Sequence, residues 1–398
     1  MPVKYRRPCT DMPGKHDVII IGGAATGSSI AYFLKTLAPA CTMAVIEPDP
    51  TYEFASTPRA SGGARRQFSC PENIAMSNFS IPFIKGFADT MAVNGEPAHV
   101  DWHEGGYLFI VPEHAAGMLR ENHALQVAAG VKADWLDQAG LKARFPSMHV
   151  DDLAAGVHTP EDGWCDPNGL LQGFRRKARS LGVEYIQDRV VALDHDATAV
   201  RAVRLASGAT LTADNVVNAA GPWAQEICAM AGIALPIEPL RRFEHFFETP
   251  NKIEPLPYVK DLQRLAFRPE GRGYSGGLVN SDQTRGFNFD VDHAYFESVV
   301  WPALAHRFPA FEACRCLRTW SGMYEQSELD GNPIIGRSPL QNFFIAGGFS
   351  GHGMMHAPAA GRAIAELIVH GRYETLDLTR LGYARVSSHS PYPERGII

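Results

Sequence analysis

The sequence predicts a mixed α/β (α+β) fold, in which a parallel sheet with helices carries an inserted antiparallel sheet. A strand, a glycine-rich turn and a helix follow one another over residues 16–38, and a similar succession occupies residues 343–368. Between them, the segments 90–150 and 235–325 are richer in aromatic residues and proline and show strand-like alternation. We therefore expect one sheet built from both ends of the chain and a second built from the two middle segments.

Local patterns predict the further elements of the first sheet. Residues 168–182 carry apolar side chains at helical spacing, with Asp166 or Asn168 as the N-cap and Gly182 as the end. A helix is expected near 27–38. Strands are expected at 17–21, 42–47, 183–187 and 215–218.

The first glycine-rich turn has the pattern Gly22-x-Ala24-x-x-Gly27, and Glu47 follows twenty residues later. Such a turn grips a dinucleotide pyrophosphate with backbone N–H groups and a helix dipole, while an acid after the next strand takes a ribose hydroxyl. Ala24 replaces the middle glycine, which crowds the pyrophosphate slightly but removes no donor. The turn predicts a dinucleotide site; a tight turn that binds no nucleotide is the alternative.

The second turn, residues 347–354, reads Gly-Gly-Phe-Ser-Gly-His-Gly-Met. Two such turns, more than 300 residues apart, would bring one cofactor against both ends of the chain, which indicates FAD. The helix after the second turn would direct its positive end at the flavin edge where reduced flavin holds its charge. That dipole would favour reduction by up to about 1–2 kcal/mol.

Four stretches together resemble the D-amino-acid oxidase-like superfamily of FAD-dependent oxidoreductases, which includes sarcosine oxidase, glycine oxidase and D-amino-acid dehydrogenases. They are the first turn with Glu47, the loop 55–69, the strand 215–224 ending in Ala-Ala-Gly, and residues 330–354. Within the loop region, residues 66–74 most resemble the branch of the FAD-dependent oxidoreductase domain-containing protein 1 and its bacterial relatives.

The resemblance implies a Rossmann-like FAD-binding domain of the glutathione-reductase type with an inserted antiparallel-sheet substrate domain. The predicted FAD-binding domain comprises residues 16–90, 150–234 and 325–375. The predicted substrate domain comprises residues 91–149 and 235–324, and residues 1–15 and 376–398 are expected to be terminal tails.

The resemblance also implies the residues that contact FAD. We expect these contacts from Gly22, Ala24, Ala25, Thr26, Gly27, Glu47, Ser61, Gly62, Arg65, Val190, Val191, Gly221, Trp223, Gly348, Gly351, His352, Gly353 and Met354. Sarcosine oxidase-like relatives bond the flavin to a cysteine at the position of Gly322, so FAD is expected to be non-covalent here.

Arg65, Tyr324 and His352 are the predicted catalytic residues. An arginine fork suits a substrate carboxylate because two parallel N–H···O bonds fix its orientation. Arg65 is favoured over Arg66 for that contact, and Arg66 alternatively pairs with a neighbouring acid. Tyr324 matches a tyrosine near the substrate in the relatives, and His352 is expected to assist with charge or a hydrogen bond, or to act only through its backbone.

His245 and Met355 complete the predicted substrate-binding set, together with Arg65 and Tyr324. Arg242 and His245 lie on a strand expected to reach the flavin, where alternation can face either one outward. Met355 falls where the relatives have a lysine for the substrate carboxylate. Ser275 falls where they have a lysine associated with oxygen activation, so a dehydrogenase is slightly favoured over an oxidase.

The predicted reaction is oxidation of a small amino acid, N-alkyl amino acid or secondary amine by hydride transfer to flavin N5, which gives an imine that water hydrolyses. The electron acceptor would be O2, a quinone or a flavoprotein carrier. One alternative is an FAD-dependent 2-hydroxy-acid dehydrogenase, which needs a base, usually a histidine, so that His245 or His352 would become essential. Another is a non-catalytic flavoprotein assembly factor.

Composition sets the outer limits. The hydrophobic share of 45% and the charged share of 20% are those of a globular protein. A net charge of −6 gives no polybasic surface, so nucleic acid is not an expected partner. No membrane-spanning stretch, secretory signal or metal-ligand spacing is evident, and the cysteines form no CxxC pair. A cytoplasmic location is therefore expected.

Overall fold

A computed structural model describes residues 14–279 and 283–396. Residues 1–13 of the predicted N-terminal tail lie outside the described residues. The strands, in chain order, are β1 (Lys15–Ile21), β2 (Met43–Ile46), β3 (Gly63–Ala64), β4 (Tyr107–Val111), β5 (Asp134–Asp137), β6 (Ala155–Thr159), β7 (Gly163–Trp164), β8 (Glu184–Ile186), β9 (Val190–His195), β10 (Val200–Leu205), β11 (Thr210–Asn218), β12 (Ile237–Glu248), β13 (Tyr258–Asp261), β14 (Leu265–Glu270), β15 (Gly273–Leu278), β16 (Arg315–Ser327), β17 (Ile334–Arg337) and β18 (Phe343–Gly347).

The α-helices are α1 (Ala25–Leu37), α2 (Pro71–Lys85), α3 (Phe87–Thr90), α4 (Ala116–Ala128), α5 (Gln138–Arg144), α6 (Pro167–Ser180), α7 (Ala224–Ala229), α8 (Trp301–Arg307), α9 (Gly353–His370) and α10 (Ala384–Ser387). The predicted start of α6 is confirmed, because the Asp166 carboxylate accepts a hydrogen bond from the Asn168 N–H. Gly182 follows the helix with a φ of +87°. None of the helices in the described ranges is long and apolar enough to cross a membrane.

The first sheet is built from both ends of the chain, as predicted. Its main path has the order β17-β18-β11-β1-β2-β8, while β9 and β10 extend it from β11. β1 pairs in parallel with β11 and β2. Residues Val18, Ile19 and Ile20 of β1 are fully buried because helices or other elements cover both faces.

The second sheet has the order β16-β12-β15-β14-β13-β4-β6-β5. Its neighbours are antiparallel, except for the parallel pair of β4 and β13. One face packs on an apolar cluster that contains Phe247, Phe267 and Phe311. The other face looks toward the first sheet, and the candidate site lies between them.

Two boundaries differ from the predicted domains. β6, at residues 155–159, pairs with β4 and β5 in the second sheet, although the prediction places it in the FAD-binding domain. Residues 376–396, predicted as a tail, pack against the rest of the chain: the Arg385 guanidinium bonds the Asp330 carboxylate, and the Glu394 carboxylate bonds the backbone before α2. Both contacts join residues far apart in the sequence, which local patterns do not reveal.

Candidate functional site

The turn between β1 and α1 leaves the N-terminus of α1 open. Gly22 has a φ of +97°, and a Cβ there would collide with the carbonyl oxygen of Ala219. A Cβ at Gly27 would collide with the carbonyl oxygen of Gly22. The cap residue, Ala24, offers no side-chain hydrogen bond, and the first N–H groups of a helix have no intrahelical acceptor. The turn can therefore bind an anion through its backbone.

Glu47 lies directly after β2, beside the same turn. Its carboxylate accepts hydrogen bonds from the N–H groups of Gly23, at 2.9 Å, and Asp49, at 3.0 Å. Burial raises the pKa of the carboxyl, and these two bonds oppose that shift. The two backbone bonds hold the carboxylate at the end of β2, where it can accept hydroxyl donors.

A cavity of about 580 Å³ begins at this turn and ends against the second sheet. Most of the predicted site residues line it. Those in its wall are Gly22, Ala24, Thr26, Glu47, Ser61, Gly62, Arg65, Val190, Val191, Gly221, Trp223, Tyr324, Gly351, His352, Gly353, Met354 and Met355. Ala25, Gly27, Gly348 and His245 do not belong to that wall.

The turn before α9 closes the opposite end of the cavity. Ser350 and Gly351 have φ values of +51° and +95°. The Glu325 carboxylate accepts hydrogen bonds from the backbone of Gly348, at 3.0 Å, and of Phe349. A Cβ at Gly351 would lie 2.6 Å from the Tyr324 ring. Glycine at that position therefore lets the turn approach Tyr324 closely, with the N-terminus of α9 toward the cavity.

These features fit FAD. The open N-terminus of α1 suits the pyrophosphate and the Glu47 carboxylate suits a ribose hydroxyl, while the N-terminus of α9 suits the negative edge of a reduced flavin. Among the described residues no cysteine lines the cavity, and Gly322 stands in its wall. The wall therefore offers no thiol for the cysteine linkage found in sarcosine oxidase-like relatives.

Arg65 is buried in the cavity wall and is held by protein groups. Its guanidinium donates to the carbonyl oxygens of Gln67 and Gly396 and to Nε2 of His352, at 3.0 Å. It also lies 4.0 Å from the centroid of the Phe68 ring. Because an arginine only donates, Nε2 of His352 must be an acceptor, so the proton of a neutral His352 is on Nδ1.

Burial, with the positive charge of Arg65 next, holds the pKa of His352 well below its usual value. His352 is therefore neutral at physiological pH. At this end of the cavity the positive charge comes from Arg65 and from the dipole of α9. His352 itself is uncharged; it accepts a hydrogen bond from Arg65 and directly precedes α9.

Arg66 turns away from the cavity and pairs with an acid, the alternative that the sequence left open. Its guanidinium and backbone N–H both bind the buried Asp162 carboxylate, at 2.6 and 2.8 Å. His245 faces the apolar side of the second sheet, stacks on Tyr295 and has its Nδ1 2.9 Å from the Thr319 hydroxyl. Strand alternation gives the cavity face to Arg242 and Glu244 instead.

The second-sheet wall contains a cluster of charged residues that the sequence did not single out as a group. Arg242 lies 4.8 Å from the centroid of the Tyr324 ring. Glu244 accepts a 2.7 Å hydrogen bond from the Ser275 hydroxyl, and burial raises the pKa of its carboxyl to about 7. Burial lowers the pKa of Lys260 to about 7. No local pattern marks Lys260 in the sequence, because β13 reads Tyr-Val-Lys-Asp and is neither apolar nor strictly alternating.

Within residues 14–279 and 283–396, one group of potential metal ligands lies away from the cavity, formed by His149, Asp152 and His306. Asp152 is already engaged there, because the Arg307 guanidinium binds both of its carboxylate oxygens, at 2.8 and 2.9 Å. That adjacent positive charge disfavours a cation, so the group carries no assignment.

The chain matches known proteins over nearly its whole length. Residues 17–367 match the profile of the FAD dependent oxidoreductase family. The FAD-dependent oxidoreductase domain-containing protein 1 of Xenopus laevis is 36% identical, over 98% of this chain and 87% of that protein. The mitochondrial sarcosine dehydrogenase of Mus musculus is 28% identical, over 92% of this chain and 41% of that protein.

The fold is likewise known. L-proline dehydrogenase from P. horikoshii superposes with a TM-score of 0.85 at 26% identity, covering 96% of this chain and all of that one. Glycine oxidase from Geobacillus kaustophilus superposes with a TM-score of 0.80 at 23% identity, covering 93% and 98%. The predicted fold class, superfamily, branch and cofactor are thereby confirmed, and the chain belongs to the family of FAD-dependent oxidoreductases.

Proposed function

We propose that this protein oxidises a small amino acid, an N-alkyl amino acid or a related secondary amine, with non-covalently bound FAD as the hydride acceptor. The observation that carries the proposal is the charged wall of the second sheet. It places the cationic Arg242 and the acidic Glu244 on one strand, both facing the cavity that begins at the dinucleotide turn. A zwitterion presents the complementary pair of charges.

Arg242 and Tyr324 are the proposed partners of the substrate carboxylate, since the guanidinium lies against the phenol ring. Arg65, the residue predicted for this contact, lines the cavity but already donates to Gln67, His352 and Gly396. We propose that Arg65 and His352 act as a pair that presents fixed positive charge near the flavin.

Glu244 is the proposed acceptor of the ammonium proton. Hydride transfer requires the amine in its neutral form, and a carboxyl with a pKa of about 7 can take up a proton at physiological pH. When bound, FAD accepts the hydride from the carbon that bears the amine. The protein holds that carbon in place and supplies side chains that complement the charges of the substrate.

The 2-hydroxy-acid alternative has less support. The usual base in that chemistry is an imidazole, yet Nε2 of His352 already accepts from Arg65 and His245 faces the other side of the sheet. The electron acceptor and the cytoplasmic location stay predictions. Met355 and Ser275, at the positions of two lysines in the relatives, still favour a dehydrogenase slightly.

The test is an absorbance spectrum of the purified protein, taken before and after anaerobic addition of pooled amino acids and N-methyl amino acids. We expect flavin bands that one pool bleaches, and flavin that appears in the supernatant on denaturation. Arg242→Met should abolish bleaching, whereas Arg241→Met should retain it, because Arg241 binds Gln283 and the Asp290 carbonyl instead. A bound flavin that neither amines nor hydroxy acids reduce would support the non-catalytic alternative.

A further inference from the structure

We propose that the substrate carries a second carboxylate and that Lys260 binds it, so that the preferred substrates are amino- or imino-dicarboxylates. This inference rests on the proposed function. It follows from where Lys260 lies, from the partners that it lacks, and from the charges around it.

Lys260 faces the cavity from β13. It pairs with Ala266 of β14, which pairs with Gly277 of β15. Gly277 lies beside Glu244 of β12, since a Cβ on Gly277 would touch the Phe243 carbonyl and the His245 ring. Only Ala266 and Gly277 therefore separate the two charged side chains across the sheet.

That row leaves room for a ligand. Three strand spacings separate the backbones of Lys260 and Glu244 by roughly 14 Å. Ala266 and Gly277 fill almost none of the space above the sheet. The side chains of Lys260 and Glu244 thus flank an open surface formed by Ala266 and Gly277. Arg242 lies two residues before Glu244 on β12.

Nζ of Lys260 makes no hydrogen bond or ion pair with another residue in the described ranges. Its side chain is half-buried, and its accessible part belongs to the cavity wall. The amine therefore opens into the cavity with its donors available, and no described residue supplies an acceptor for them. A ligand oxygen would supply one.

The charge balance points to the same conclusion. Lys260 and Glu244 face the same part of the cavity, and Arg65, whose guanidinium donates to two carbonyl groups and to the neutral His352, adds a further positive charge. Glu325 also reaches the wall, but its carboxylate is used by the backbone of Gly348 and Phe349. In the proposed function the substrate carboxylate binds at Arg242 and the ammonium at Glu244, so a substrate with one carboxylate supplies no anion to Lys260.

The test is equilibrium binding to the FAD-loaded protein, followed by the change in flavin absorbance. The probes are thiodiacetate, which has two carboxylates, and methylthioacetate, which has one. Both are thioethers and therefore cannot be oxidised as amines. We expect thiodiacetate to bind about 10- to 100-fold more tightly, the usual effect of one charge-assisted hydrogen bond. Equal affinities in the unaltered protein would overturn the proposal without any variant.

Variants then assign the preference to Lys260. Lys260→Met should bring the ratio of the two affinities close to one, and Lys260→Arg should retain most of it. Lys252→Met, at an exposed position, is the matched control and should keep the full ratio. A preference that persists in Lys260→Met would assign the second carboxylate to another residue and contradict the proposal.

Failure of the proposed function gives a different result. If amines are not oxidised, no amino acid bleaches the flavin, but the thioether preference and its loss in Lys260→Met still hold. If only the present inference is wrong, amino acids with one carboxylate bleach the flavin at least as well as dicarboxylates such as iminodiacetate, and the thioethers bind equally.

Discussion

Lys260 and Glu244 are side chains of opposite charge, and burial brings their pKa values close together. The pKa of the amine is lowered to about 7 and that of the carboxyl is raised to about 7, in both cases mainly because burial penalises the charged form. Their mutual attraction opposes both shifts but does not cancel them. The charge of the second-sheet wall therefore changes steeply near neutral pH.

Dianion binding is accordingly expected to weaken as the pH rises. Below pH 7 Lys260 is protonated and Glu244 is neutral; above it Lys260 loses its charge and Glu244 gains one, so both changes disfavour an anion. Arg65 and Arg242, which also act on Lys260, stay cationic in this range, and His352 stays neutral. Glu325 on β16 lines the same cavity, and burial raises the pKa of its carboxyl to about 7, so its ionisation acts in the same direction as that of Glu244.

For Lys260 alone, thiodiacetate affinity should fall about tenfold between pH 6 and pH 8. The measurement is flavin-monitored binding across that range. Lys260→Arg, which stays charged, should show a much flatter profile, and adding Glu244→Gln should flatten it further. A wild-type profile that rises with pH would contradict the assignment of both groups.

At the scale of elements, α1 and α9 connect the two ends of the cofactor site. Each begins at a glycine-rich turn in the cavity wall, and the two helices pack on each other farther along. They are in close contact at Gly361 of α9, where a Cβ would lie 2.8 Å from the backbone carbon of Ser29 and closer still to its hydroxyl. The spacing of the two turns therefore depends on this contact.

Gly361→Ala should separate the helices and weaken FAD binding. Overpacking at a buried backbone contact costs about 1–3 kcal/mol, although alanine is the better helix former. Thermal unfolding and FAD titration of the apoprotein measure the two effects. Gly117→Ala, in α4 where a Cβ meets nothing within 4 Å, is the matched control and should be neutral or slightly stabilising. Equal behaviour of the two variants would show that the α1–α9 contact tolerates a methyl group.

At the scale of the whole molecule, the parts of the site that are local in sequence could be predicted. The turn at Gly22 and its acid, Glu47, follow from short-range rules for strands, turns and helix starts. Lys260 could not be found in this way, because it reaches the site through the pairing of β13 with β14. The Arg66–Asp162 pair likewise joins residues that only the folded chain brings together.

The C-terminal segment shows the same long-range dependence. The buried Glu394 carboxylate accepts hydrogen bonds from the backbone N–H groups of Ser69 and Cys70, at 2.7 and 3.0 Å, and from the Asn73 amide, at 2.8 Å. Cys70 is the cap residue of α2 and supplies no side-chain cap itself. Glu394 therefore fixes the backbone just before α2 from more than 320 residues away, and it also accepts from the N–H of Gly396, whose carbonyl binds Arg65.

Glu394→Ala should consequently destabilise the whole fold rather than only free its terminus. It leaves the backbone N–H groups of Ser69 and Cys70, just before α2, without their acceptor, which we expect to lower the free energy of unfolding by about 2–4 kcal/mol. Denaturant unfolding of the FAD-loaded protein measures the change. Glu374→Ala removes an exposed carboxylate paired with Arg372 and should cost less than about 0.5 kcal/mol. If the two variants have the same free energy of unfolding, the C-terminal segment does not contribute to stability, and the sequence-based prediction of a tail would hold.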